Sequence, residues 1–282
     1  MRADATPVGV RRPVVMMRMA AADGRMRTSD ARRLEGLAWL GREPAVTATP
    51  GYRSLLRLGR IVLRLVGLRL RVEGLERLPA GGYILAAAIH RSWIDPLLLV
   101  LAWPAGPRLW FIGSAETALR SPSRAWVVRR LGGFLPVWRG GTDLEPHIEG
   151  ARAVLDRGGV FAVFPEGSRR GGPFRVEPLR RGTVLIGLRT GAPIVPVALA
   201  GTHELYRGRR IAVRVLPATS ALELAGIDAP PEPGSAAEVA ALHTASDALR
   251  NRLAANVEEM AARCEDAPTI RRRWSWLSRI VA

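Results

Sequence analysis

Residues 82–96, GYILAAAIHRSWIDP, decide how the rest of the chain is read. From Gly82 to Ile89 the run is apolar without alternation, which is the pattern of a strand covered on both faces. His90 follows at once, Asp95 comes after four intervening residues, and Pro96 then closes the stretch. Proline is favoured in the first turn of a helix, so a helix is predicted from there. An aspartate in front of it can act as a helix N-cap, and the same carboxylate can also orient an imidazole.

The same punctuation recurs downstream. Buried strands are predicted at RLWFIG (108–113), GGFLPVW (132–138), GGVFAVFP (158–165), APIVPVALA (192–200) and RIAVRVLP (210–217). Helices are predicted between them over Asp95–Leu101, Ser123–Leu131, Leu144–Asp156 and Gly182–Thr190, the last closed by Gly191. After the linker GIDAPPEPGS (226–235), Ser235 and Glu238 have the spacing of a capping box. Val239, Leu242, Leu249, Leu253, Val257, Met260 and Cys264 then recur at helical spacing, so one long helix should cover the core. Apolar strands separated by helices predict an α/β fold, a mostly parallel sheet flanked by helices.

Composition adds two facts. Of 282 residues, 48% are hydrophobic, enough for a packed core. The 42 basic residues outnumber 25 acidic ones for a net charge of +17, and the sequence contains no lysine, so every fixed cation is an arginine. Arginine pairs bidentately with phosphate, and such a balance suits nucleic acid, an anionic membrane surface or phosphorylated substrates. The lone cysteine, Cys264, excludes an internal disulfide and lies on an apolar helical stripe, where burial is expected. His90, His147, His203 and His243 lack metal-ligand spacing, so no metal is expected. No run reaches the roughly 18 uncharged apolar residues of a spanning helix, and no signal peptide is read at the N-terminus.

Four segments follow. Residues 1–50 mix Arg, Ala, Gly and Pro without apolar period and hold five of the six methionines, as expected of a flexible basic arm or of a start codon assigned too far upstream. Residues 51–68 contain an N-terminal amphipathic helix: Arg53, Arg57, Arg60 and Arg64 share a sector about 60° wide, and apolar residues fill the rest. Such a helix is expected to lie in a membrane interface, the alternative being a core-packed helix with a basic solvent face. Residues 69–265 form the α/β domain, and the tail 266–282 joins arginines to Trp274 and Trp276, a mix suited to an interfacial anchor or a frayed end.

Ligands of open parallel sheets bind beyond the carboxyl ends of strands. Three predicted loops converge there: the one carrying His90 and Asp95, the one after GGFLPVW carrying Arg139, and FPEGSRR (164–170) with Glu166, Gly167, Ser168 and Arg169. An imidazole beside a carboxylate, with further charge around one edge, fits an anionic substrate that has a proton to lose.

These blocks, in this order, resemble the glycerolipid acyltransferase family, whose best-known members are 1-acylglycerol-3-phosphate acyltransferases. HRSWIDP is similar to the family's His–four–Asp block, GGFLPVWR to its arginine-ending block, FPEGSRR to its Glu-Gly-Thr/Ser-Arg block and APIVPVAL to its proline-bearing block. LRRG (179–182) resembles the basic-glycine stretch ahead of that last block. Two departures are Ile89, where the family often has asparagine, and Ser168, where threonine is common.

The resemblance implies His90 as general base and Asp95 as its orienting partner, with no covalent enzyme intermediate. It implies that Arg139, Glu166, Gly167, Ser168 and Arg169 hold the acceptor head group, Glu166 either accepting a hydroxyl or fixing an arginine. Pro196 matches a structural or donor-proximal position. The implied activity is transfer of a fatty acyl group from acyl-CoA or acyl-ACP to 1-acylglycerol 3-phosphate, giving phosphatidic acid in phospholipid biosynthesis. No cofactor is expected beyond that co-substrate. The expected partners are a lysophospholipid, acyl-CoA or acyl carrier protein and an anionic membrane, with no nucleic acid. The expected place is the cytoplasmic face of the cell membrane, peripherally bound. Competing expectations are another lipid or glycolipid acceptor, and a non-catalytic basic protein that binds membrane or nucleic acid.

Overall fold

The computed structural model describes residues 45–114, 126, 133–137, 145–169 and 171–264, all within the compact unit that starts at Ala45. Residues 1–44 of the predicted basic arm, the predicted helix over 123–131 apart from Trp126, Arg139, Arg170 and the tail with Trp274 and Trp276 lie outside the described residues. Residues 45–50 of that arm instead join the folded unit, Val46 O accepting from Arg108 N at 2.8 Å.

Seven strands form one sheet: β1 (Arg69–Glu73), β2 (Tyr83–Ala88), β3 (Leu109–Ser114), β4 (Phe134–Val137), β5 (Val160–Val163), β6 (Ile194–Ala200) and β7 (Arg210–Val215). Their order is β1-β7-β6-β2-β5-β3-β4, and every pairing is parallel except the antiparallel β6–β7 pair. The six predicted strands are all present. β1 is an addition to the sequence reading: Arg69 and Arg71 are exposed and Leu70 and Val72 half-buried, so the strand is a charged margin without the apolar run of the others.

All residues of β2 and of β6 are buried, because helices cover both faces of the sheet. Ile84, Ala86 and Ala88 face a core shared with α3 (Glu145–Leu155), α4 (Gly182–Thr190), α5 (Ala221–Ala225) and α6 (Ala236–Cys264). On the opposite face α2 (Asp95–Ala102) lies against β2, where the Trp103 indole donates to the Tyr83 hydroxyl at 2.9 Å. Burial pushes that phenol up to about 12, so it stays protonated at any working pH. Cys264 is buried at the end of α6. The capping box at the start of α6 is half formed: the Ser235 hydroxyl accepts from Glu238 N at 3.1 Å. The Glu238 carboxylate turns instead to Gly234 N and the Arg189 guanidinium, a charged donor that outcompetes the Ser235 amide.

The first helix, α1 (Pro50–Leu65), starts at Thr49, whose hydroxyl accepts from Tyr52 N at 3.2 Å. Its non-arginine surface is divided in two. Tyr52 and Leu56 are buried, and Gly59 permits an approach in which a Cβ would meet Leu101 at 2.6 Å. Arg60 folds onto the end of α2, donating to the carbonyls of Leu101 and Trp103 at 2.9 and 2.8 Å. Leu58, Ile61, Val62 and Leu65, 57%, 51%, 49% and 75% exposed, point away from the core within a sector about 100° wide. No helix among the described residues is long and apolar enough to cross a membrane.

Candidate active site

β2 and β5 are parallel neighbours, with Ala86 opposite Val163, so the loops that leave their carboxyl ends emerge side by side. One carries His90 two residues after Ala88, and the other carries Glu166 three residues after Val163. Strand order alone therefore brings together residues 76 positions apart in sequence.

The first loop is organised around Asp95, which is fully buried. Its Oδ2 accepts from His90 Nδ1 at 2.8 Å, from Arg91 N at 2.7 Å and from Ser92 N at 2.8 Å. An oxygen already taking two amides has no proton of its own to share, so Nδ1 is the donor to it. That assigns the ring tautomer: Nδ1 carries the hydrogen and Nε2 keeps a free lone pair. The sequence left Asp95 two roles. The position before α2 belongs to Ile94, without a side-chain cap, and the carboxylate of Asp95 turns back onto the histidine loop.

Two aromatic rings fix the plane of the imidazole. His90 stacks on Phe164 with centroids 4.1 Å apart and planes at 21°, and Phe164 in turn stacks on Phe111 at 6.3 Å. The His90 side chain keeps 18% exposure, enough to meet a ligand, while the carboxylate behind it keeps none.

Glu166 lies deeper than an acceptor-facing residue would. Its Oε2 accepts from His90 N at 2.7 Å, and its Oε1 accepts from Arg91 Nη2 at 3.2 Å and Glu177 N at 3.1 Å. Of the two roles open to it in the sequence, it performs the second and fixes an arginine. That arginine, Arg91, was not singled out by the sequence reading. Standing beside His90 it looks like one more surface cation, yet its side chain is 5% exposed.

Gly167 makes the turn out of β5 with φ +63°, and a Cβ there would collide with the Arg180 side chain. Ser168 is half-buried and Arg169 exposed on the same loop. Arg180 is also exposed, and its amide donates to the carbonyl of Pro165 at 2.7 Å. Pro196 is buried in β6 opposite Ala86, within the sheet. His203 makes an edge contact with Phe174 at 5.0 Å and His243 is exposed on α6. Chemically, the loops present an imidazole with one nitrogen anchored on a buried carboxylate, beside exposed arginine. That arrangement can accept a proton from a hydroxyl next to an anion.

A family model described as Acyltransferase matches residues 69–200, the span that holds His90, Asp95, Arg139 and Glu166 through Arg169. A 1-acyl-sn-glycerol-3-phosphate acyltransferase of Borreliella burgdorferi is 29% identical over 148 residues, covering 52% of this chain and 57% of that protein. One from Limnanthes alba is 26% identical over 164 residues, covering 57% and 56% respectively. The chain thus spans little more than half the length of these curated relatives. Among solved structures, the 1-acyl-sn-glycerophosphate (LPA) acyltransferase PlsC from Thermotoga maritima shares the fold, with a TM-score of 0.53 at 24% identity over 77% of this chain and 81% of that one. Ordered motif blocks and the matching domain model agree that residues 69–200 are similar to the Acyltransferase family, and the curated relatives that share this span are named 1-acyl-sn-glycerol-3-phosphate acyltransferases.

Proposed function

We propose that the protein is an O-acyltransferase that moves a fatty acyl group from a CoA or acyl-carrier-protein thioester to the free hydroxyl of 1-acylglycerol 3-phosphate, forming phosphatidic acid. The observation that carries this reading is the 2.8 Å bond from His90 Nδ1 to buried Asp95, which leaves Nε2 as a base. In the reaction, Nε2 takes the hydroxyl proton as the oxygen forms its bond to the thioester carbonyl carbon. The C–S bond then breaks, and the imidazolium returns the proton to the departing thiolate. Asp95 holds the tautomer and stabilises the imidazolium. Arg169, exposed on the neighbouring loop, and Arg139 meet the acceptor phosphate.

The test is purified protein with labelled acyl-CoA and acyl-ACP against a panel of lysophospholipids, read by mass spectrometry. His90→Ala should lower turnover by about 10²–10⁴-fold with the fold intact. Unchanged turnover in a folded variant refutes the assignment, and a preferred acceptor without phosphate replaces the proposed substrate.

The same reading puts the protein on the membrane where its acceptor resides. Leu58, Ile61, Val62 and Leu65 expose a continuous apolar strip beside Arg53, Arg57 and Arg64, which fits insertion among anionic head groups. Burying a Leu or Ile side chain fully is worth about 1.5–3 kcal/mol, so Ile61→Ser with Leu65→Ser should cut flotation with phosphatidylglycerol vesicles by about tenfold or more. Both residues are exposed, so the fold should survive. Equal flotation by the variant would exclude this helix as the anchor.

A further inference from the structure

We propose that Arg91 and Glu166 are positioning residues that set the place of His90, and that Glu166 acts through the histidine loop without touching the acceptor. The inference rests on the acyl-transfer reading of His90. It assigns Glu166 a role different from the head-group contact implied by the family's motif, and brings in an arginine that no motif marks.

The carboxylate of Glu166 is fully buried and its acceptor sites are taken. Oε2 receives His90 N at 2.7 Å and Arg91 Nη1 at 3.5 Å, and Oε1 receives Arg91 Nη2 at 3.2 Å and Glu177 N at 3.1 Å. A carboxylate offers about four acceptor positions, so an incoming hydroxyl finds none free. Arg91 is spent inward as well. Its Nε donates to Gly172 O at 2.9 Å, Nη1 to His90 O at 2.9 Å and Nη2 to Arg175 O.

One ion pair therefore ties three loops together: the histidine loop, the FPEGSR loop and the loop over 171–177. The backbone of the third loop favours glycine at residue 171. Gly171 has φ +116°, and a Cβ would collide with Glu177 Oε1 and come 2.9 Å from Arg91 Nη2. Together with Asp95, Glu166 satisfies the three successive amides of His90, Arg91 and Ser92. The backbone that carries the imidazole is thus pinned from two sides, and a shift of about 1 Å in such a group costs on the order of 10²-fold in rate.

Positioning and acceptor binding predict different kinetics. If Arg91 is removed, Glu166 becomes an unpaired buried carboxylate hanging on the His90 amide, and the loop must move to hydrate it. The single variant Arg91→Met should therefore lose about 10²-fold or more in kcat, with the acceptor KM within about twofold of wild type. Adding Glu166→Gln to that variant removes the stranded charge, and should restore kcat by about tenfold while each single variant remains impaired. Arg91→Lys keeps the charge without the fork, and should fall between wild type and Arg91→Met.

The experiment is this mutant cycle, measured as kcat and acceptor KM relative to wild type on whichever lysolipid wild type acylates. Recovery in the double variant with KM unchanged supports the proposal. A double variant as poor as the product of the singles overturns it, as does a Glu166→Gln variant that raises acceptor KM tenfold while keeping kcat. Should Arg91→Met fail to fold, the Arg91→Lys and Glu166→Gln kinetics carry the same decision. A wild type that acylates an unexpected acceptor would revise the substrate and leave these ratios readable.

Discussion

The sheet carries two clusters of arginine and acid, one at its centre and one at its margin, built from the same residue types to different ends. At the centre, the side chains of Asp95 and Glu166 are fully buried and that of Arg91 is 5% exposed. At the margin, Arg214 of β7 donates to Glu259 of α6 at 2.7 and 3.1 Å and to Glu73 of β1 at 3.2 Å, with Glu259 half exposed. Arg263 reaches both of those carboxylates as well. The marginal acids keep a third to a half of their side chains exposed and bond to arginine side chains, whereas the central acids are fully buried and bond to backbone amides as well as to His90 and Arg91. An ion pair in water can come apart and be rehydrated, so its geometry governs little. A buried one cannot lose a partner without the loop moving, so its geometry governs where the imidazole stands.

The largest effect that would separate the clusters comes from neutralising a central carboxylate at constant size. In Asp95→Asn the amide oxygen can take the place of Oδ2 and keep the three donors, while the charge opposite the imidazolium is lost. The other oxygen, Oδ1, is buried and has no hydrogen-bond partner among the described residues, so an NH₂ group there strands two donors. Turnover should fall by about 10²–10⁴-fold with the sheet still folded by circular dichroism. Wild-type kcat in the Asp95→Asn variant would mean that the central acid does no more than the marginal ones.

The two clusters also differ in how legible they were. Six strands could be read because each is a largely apolar run with Gly or Pro at one end or the other, and the His90–Asp95 pair because the two partners are only five positions apart. The central ion pair could not be read, since Arg91 and Glu166 are 75 residues apart in sequence and meet only because β2 and β5 are neighbours. In a chain with 42 basic residues, a single arginine that turns inward carries no compositional mark. β1 was missed for a related reason. RLRVE shows a strand's alternation for too few residues, and its exposed charges suit an edge that has nothing to bury on one side. The apolar part of α1 was visible as one wide face. Its division into a packed half and an exposed half depends on where α2 lies, which helical period cannot reveal.

The smallest expected effect belongs to the margin, and its pH dependence gives the sharpest form of the contrast. Hydrogen bonds from Arg214, and then its charge, hold Glu259 below the usual glutamate value of 4.5, and Arg214 itself is raised by the same bond. A carboxyl whose folded value is depressed adds stability that is complete above its unfolded value and fades as pH falls through the folded one. Replacing Arg214 by Met should therefore lower Tm near pH 7, and by at most about 2 °C because the pair is solvated. The difference from wild type should shrink in high salt and vanish below the carboxylate range, where the glutamate is protonated in both proteins. Acyl transfer should stay within about twofold of wild type, because neither Glu73 nor Glu259 contacts the histidine loop. Thermal melts of both proteins across pH and salt decide the point. A Tm loss that persists unchanged in acid would show that Arg214 acts by packing its stem between β1 and α6, and that the marginal cluster is electrostatic in appearance only.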